Sequence, residues 1–158
     1  MYERVLAVRE RALGADHKST LESVYNLADT LKQLGRLDEA LPLFERELAG
    51  SERNKGPDHK TTFSRLSNLA VLLKMVGRGD EALPLYRRVL ASKKKTLGAE
   101  HPETLISMTN LAFTLKQMEM RDEALPVYQR VLAMRDKSLG ADHERTKKIS
   151  KQFVRRAE

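Results

Sequence analysis

The sequence predicts an all-α fold of about eight helices packed as successive hairpins, and three observations carry that reading. The first is a repeat. Asp38-Glu39-Ala40-Leu41-Pro42-Leu43-Phe44 returns at 80–86 and again at 122–128, an offset of 42 residues each time. Asn26-Leu27-Ala28, the glycines at 14, 56, 98 and 140, and the histidines at 17, 59, 101 and 143 keep the same spacing. The second is the period of the apolar residues inside one repeat. Leu21, Val24, Leu27, Ala28 and Leu31 fall on one stripe of a helix, as do Ala40, Leu41, Phe44 and Leu48. The third is that no useful length of chain alternates with period two, the mark of a strand.

In chain order, residues 2–13 read as a leading helix whose Tyr2 stands in the series of Phe44, Tyr86 and Tyr128. Three helix pairs follow at 18–54, 60–96 and 102–138, and a basic helix at 144–157 closes the array as a cap. The whole chain, 1–158, is thus one repeat array. In each pair the first-type helix ends near Gly35 or Gly77, where the residue past a helix end takes positive φ. In the third pair Glu119 occupies that position, which predicts either strain or a differently shaped turn. Asp38, Asp80 and Asp122 then favour the start of the second-type helix. Pro42, Pro84 and Pro126 fall in its first turn or just beyond, where the missing N–H is tolerated. The leading helix, with Tyr2, Val5, Leu6 and Val8 seeking a neighbour, either caps the array or belongs to a longer one.

Composition removes several function classes. The 158 residues contain no Cys, which excludes disulfide frameworks, thiolate zinc sites, iron–sulfur clusters and cysteine nucleophiles. No apolar run reaches the ~18–20 residues of a membrane span, so no membrane insertion is expected. The first residues carry no apolar signal region, which points to an intracellular, cytoplasmic protein. No phosphate-cradling glycine loop or nucleophile elbow appears, and the Asp-Glu pairs sit at helix starts, so no enzyme and no cofactor is expected. The four histidines stand one per repeat. Packed helices separate equivalent positions by ~10 Å, while metal–nitrogen bonds are ~2 Å. No shared metal site follows, and each histidine reads as a turn residue opening a helix. The net charge is +7, concentrated in residues 128–158, which hold nine Lys or Arg against four Asp or Glu. That excess suits a solvated surface first and an acidic protein partner second. Nucleic acid ranks third, because no stacking aromatic accompanies it.

Val24-x2-Leu27-Ala28-x2-Leu31 followed by Ala40-x3-Phe44 resembles the tetratricopeptide repeat pattern, with Val, Ala and Leu where that pattern places Trp, Gly and Tyr. The usual stop at a proline is replaced by Glu52, Lys94 and Asp136, so the second helix runs on. The 42-residue unit with Gly-x-acid-His, Asn-Leu-Ala and Asp-Glu-Ala-x-Pro resembles the kinesin light chain type of array. The resemblance covers nearly the whole chain and implies a right-handed superhelix, an α-solenoid whose first-type helices line a concave groove.

On that face stand Glu22, Asn26, Asp29 and Gln33; then Ser64, Asn68, Val71 and Met75; then Ile106, Asn110, Phe113 and Gln117. Asn is a poor helix former, yet one recurs here in every repeat. Its carboxamide can both donate to and accept from an extended peptide backbone, or bond a neighbouring helix or loop. The matching asparagines of kinesin light chains help hold acidic cargo peptides, and the resemblance implies that role for Asn26, Asn68 and Asn110. Lys32, Lys74 and Lys116 flank the face and would favour acidic residues, while Val71, Met75 and Phe113 would form an apolar centre. The expected function is therefore a peptide-binding scaffold. The alternative is a structural subunit of a larger assembly, docked through its convex, basic or end surfaces.

Overall fold

The computed structural model describes residues 2–139. They form seven helices, and no strand occurs among the described residues: α1 Tyr2–Leu13, α2 Lys18–Gln33, α3 Leu37–Lys55, α4 Lys60–Met75, α5 Gly79–Leu97, α6 Pro102–Gln117 and α7 Arg121–Leu139. The expected capping helix at 144–157 lies outside the described residues. The chain divides into two compact units, Met1–Ser92 and Lys93–Glu158.

In the first unit α1 packs on α2, α2 on α3 and α3 on α4. The apolar stripes meet where small residues allow close approach: Val24, Ala28 and Ala40 are fully buried. The Tyr25 and Phe44 rings meet edge to face, 6.1 Å between centroids. Phe63, Leu66 and Val89 form the next core cluster, with Leu48 and Leu85 against it. Arg9 of α1 donates to Ser19 O at 2.8 Å and to Ser23 Oγ at 2.9 Å, which ties α1 to α2. The outer face of α1 stays open. Tyr2 is 44% exposed, whereas Phe44 and Tyr86 at the equivalent positions are 1% exposed.

Helices α2, α4 and α6, the described first-type helices, each open on a histidine cap. Nδ1 of His17, His59 and His101 accepts the N–H of Ser19, Thr61 and Glu103, each at 3.2 Å. The ring nitrogen thereby satisfies one of the four orphan donors of a helix start. Behind each cap stands a buried threonine; Thr20 reaches back to Arg9 O of α1 at 3.4 Å, whereas the later two secure the incoming turn. In the first unit Thr62 Oγ1 donates to Gly56 O at 2.8 Å and lies 3.1 Å from Ser51 Oγ.

The first-type helices end alike. Arg36 N donates to Leu31 O and Gly35 N to Lys32 O, at 2.9 and 3.0 Å. Arg78 and Gly77 repeat the pattern at 2.8 and 3.2 Å. This is a Schellman closure with a left-handed residue after the helix, and Gly35 and Gly77 have φ of 75° and 80°. The second-type helices then start without a side-chain cap at Arg36. Asp38 serves as a first-turn acid instead, and Arg36 grips Glu39 through two bonds of 2.7 Å. Arg78 grips Glu81 in the same way.

The second unit contains the α6·α7 hairpin. Leu105, Met108, Leu111, Ala112 and Leu115 are buried on α6, as are Ala124, Tyr128 and Val131 on α7. Thr104 Oγ1 donates to Gly98 O at 2.8 Å, repeating the threonine turn. The hairpin turn keeps the Schellman bonds, Glu119 N to Lys116 O at 3.1 Å and Met120 N to Leu115 O at 3.0 Å. Glu119 is therefore held at φ 59°, the one non-glycine residue with positive φ among the described residues. Of the two outcomes expected at this turn, the strained one is realised.

Candidate functional site

The asparagine face of the first unit belongs to α2 and α4. Asn26 is exposed and Asn68 half-buried. Asn26 O accepts Thr30 Oγ1 at 2.7 Å, a bond to the backbone that leaves the carboxamide untouched. No hydrogen bond among the described residues occupies either carboxamide. Val71 is half-buried beside Met75, which is 50% exposed. In the second unit Asn110 is half-buried on α6, and Phe113 and Ile106 are 37% and 54% exposed on the same helix.

The three lysines of this face all have partners. Lys32 Nζ lies 2.6 Å from Asp29 Oδ1 and sits over the Phe44 ring, 5.5 Å from its centroid. Gln33 donates to the other Asp29 oxygen at 2.7 Å. The Lys32 hydrogen bond in particular holds the Asp29 carboxyl below its ordinary range. Lys32 is therefore largely neutralised within its own helix. Lys74 and Lys116 are half-buried and also engaged.

A second feature of the first unit escaped the repeat-based reading. A cleft of about 370 Å³ lies among α2, α3 and α4, lined by Leu21, Glu22, Glu47, Ser51, Thr61 and Arg65 among others. Glu47 is 2% exposed and pairs with Arg65, Nε to Oε1 2.6 Å. Its Oε2 is buried with no hydrogen-bond partner. Burial pushes the Glu47 carboxyl up to about 7, against the opposing pull of the Arg65 charge. The Arg65 guanidinium lies over the Tyr25 ring, 4.5 Å from its centroid. A signal for this site was present in the repeat. Glu47 stands where Val5, Val89 and Val131 stand, and Arg65 where Ser23 and Ser107 stand.

Helical hairpins with a 42-residue repeat, Schellman turns and a polar face on each first-type helix define a class: an all-α repeat scaffold for protein–protein interaction. The chain matches the tetratricopeptide repeat over residues 1–53, 22–95 and 61–137, and it belongs to that family. Its array is of the kinesin light chain type. It superposes at a TM-score of 0.85 on the nearly identical TPR-like repeats of a candidate kinesin light chain from Podosopora anserina. That match has 28% identity and covers 98% of this chain and 73% of that one. BtubC (BKLC) from P. vanneervenii shares the fold at a TM-score of 0.73 with 20% identity, covering 97% and 65%. MamA AMB-1 matches at 0.54 with 26% identity, covering 84% and 68%. No curated protein matches the chain. No helix among the described residues is long and apolar enough to cross a membrane.

Proposed function

We propose that this chain is a non-enzymatic, cytoplasmic scaffold whose first-type helices hold an extended, partly acidic peptide segment. The observation that carries the reading is the asparagine shared by α2, α4 and α6. Its carboxamide is uncommitted among the described residues, on a face otherwise spared from core packing. In the first unit Met75 and Val71 offer an apolar anchor next to Asn68, and in the second Phe113 does so next to Asn110. Such anchors matter because an exposed ion pair contributes under ~1 kcal/mol. The preference for acidic segments rests on Lys32, Lys74 and Lys116, which flank that face.

The test begins with capture of a partner by cross-linking and ends with a synthetic peptide of its cross-linked segment. Replacing Asn68 and Asn110 with Ala should weaken the peptide by about tenfold, from two hydrogen bonds of ~1 kcal/mol each less the water that replaces them. The melting temperature should not fall. If the double variant binds as tightly as the parent, the groove is idle. The open face of α1, where Tyr2, Val5 and Val8 are exposed, then favours a structural subunit docked through its end.

A further inference from the structure

The chain contains its own control for what a tetratricopeptide core requires, because equivalent positions recur every 42 residues. On α3 and α4 three departures cluster. Glu47 replaces a valine, Arg65 replaces a serine, and Gly50 stands where Val8, Ser92 and Met134 stand. Gly50 is buried, and a Cβ there would fall 2.6 Å from Leu21 Cδ2. The glycine therefore lets Leu21 lie against α3, where it forms one wall of the cleft. Packing alone does not ask for these residues, since valine and serine serve in the other repeats. Burying the Glu47–Arg65 pair carries a desolvation cost that the Val–Ser pair avoids.

We propose that this cleft is a side-chain pocket of the peptide-binding face, and that it takes a primary carboxamide, the end of an Asn or Gln residue. The proposal rests on the peptide-binding reading above, because Glu22 of the same α2 face lines the cleft beside Lys18. The choice of ligand follows from the two charges. Glu47 Oε2 lacks a donor. Arg65 places Nε against Glu47, and its guanidinium lines the cleft. A cation would satisfy Oε2 but meet the Arg65 guanidinium. A carboxylate would pair with Arg65 but meet Glu47. A carboxamide brings one N–H for the carboxylate and one C=O for the guanidinium on a single planar group, and adds no charge. Leu21 and the threonine methyl of Thr61 suit the methylenes that precede it.

The test uses the full chain labelled with ¹⁵N and the capped amino acids N-acetyl-glutamine amide, N-acetyl-lysine amide and N-acetyl-glutamate amide. The glutamine probe should shift the Leu21, Ser51 and Arg65 amide resonances and bind about tenfold more tightly than the other two, the worth of one well-made hydrogen-bond pair. The Glu47→Val and Arg65→Ser double variant, which restores residues the other repeats already use, should lose the response. Equal or tighter binding of the lysine or glutamate probe overturns the proposal, and this comparison needs no variant. A glutamine response that survives in the double variant also overturns it. The groove reading is judged separately, by the Asn68→Ala and Asn110→Ala variant and the partner peptide. A silent cleft with a groove still sensitive to those asparagines sinks the pocket alone.

Discussion

The turn between α6 and α7 offers a stability experiment with internal references. Gly35, Gly77 and Glu119 occupy the same step of the same Schellman closure, at φ 75°, 80° and 59°. Their flanking bonds agree within 0.2 Å: 3.0, 3.2 and 3.1 Å for the first, 2.9, 2.8 and 3.0 Å for the second. The turn has not relaxed to suit its glutamate. An L-residue in the left-handed region costs about 1–2 kcal/mol. Replacing it with glycine returns about 0.4–1 kcal/mol of unfolded-state entropy to the other side. Glu119→Gly should then stabilise by about 0.5–1 kcal/mol, or about 2–3 °C in melting temperature for a chain of this size. The glutamate also places a negative charge at the C-terminal end of the α6 dipole, and its removal acts in the same direction. Gly77→Ala is the mirror experiment. A Cβ at Gly77 meets nothing within 4 Å, so its cost is backbone strain without crowding, about 1 kcal/mol. Urea melts followed by circular dichroism read both. If Gly77→Ala destabilises as expected while Glu119→Gly leaves the melting temperature unchanged or lower, the strain assigned to Glu119 is absent and the reasoning fails.

Two further predictions concern stability. His59→Ala removes the acceptor for Thr61 N and should cost about 1 kcal/mol, whereas His59→Asn should keep most of the cap; equal loss in both would show that the imidazole acts through packing instead. Glu47 ties stability to pH. Its folded value of about 7 stands above the ordinary 4.5, so its contribution is intact below about 4.5 and is lost as pH rises through about 7. The stability of Glu47→Gln relative to the parent should therefore climb by about 3 kcal/mol across that window, at ~1.4 kcal/mol for each step of one in pH between the two values. Urea melts at pH 4, 5, 6, 7 and 8 measure the gap, and a flat difference refutes it.

The hairpins were legible because one apolar stripe is written three times at the same spacing. A helix that would be ambiguous once is unambiguous in triplicate. Glu119 was legible for the same reason: the two glycines at its position define what the turn demands. The histidines were legible only as turn residues. Nothing in their spacing says that Nδ1 rather than the backbone caps the helix, because that depends on the rotamer set by the extended residue before α2, α4 and α6. The Lys32 pairing was not legible in the stripe, for a local reason. Asp29 lies three residues before Lys32, near enough on a helix to pair, and the pairing removes a cation that the stripe alone leaves free.

The candidate pocket inverts this logic. A repeat makes a fold readable by averaging, and averaging discards the positions where repeats disagree. Glu47, Gly50 and Arg65 vanish from a consensus, and each alone resembles ordinary drift. Only the structure shows that the three bear on one cleft: Glu47 and Arg65 line it as an ion pair, and Gly50 makes room for its Leu21 wall. Drift would scatter such changes over solvent-facing positions, where they cost little. These put a carboxyl at 2% exposure with an unsatisfied oxygen, a state that costs ~1–3 kcal/mol by general measure. In a scaffold whose repeated stripes are committed to stacking, specificity for a partner has to be written in the residues that break the repeat. A buried, half-satisfied carboxylate beside a guanidinium is a physically costly place to break it, which is the reason to look there for a ligand.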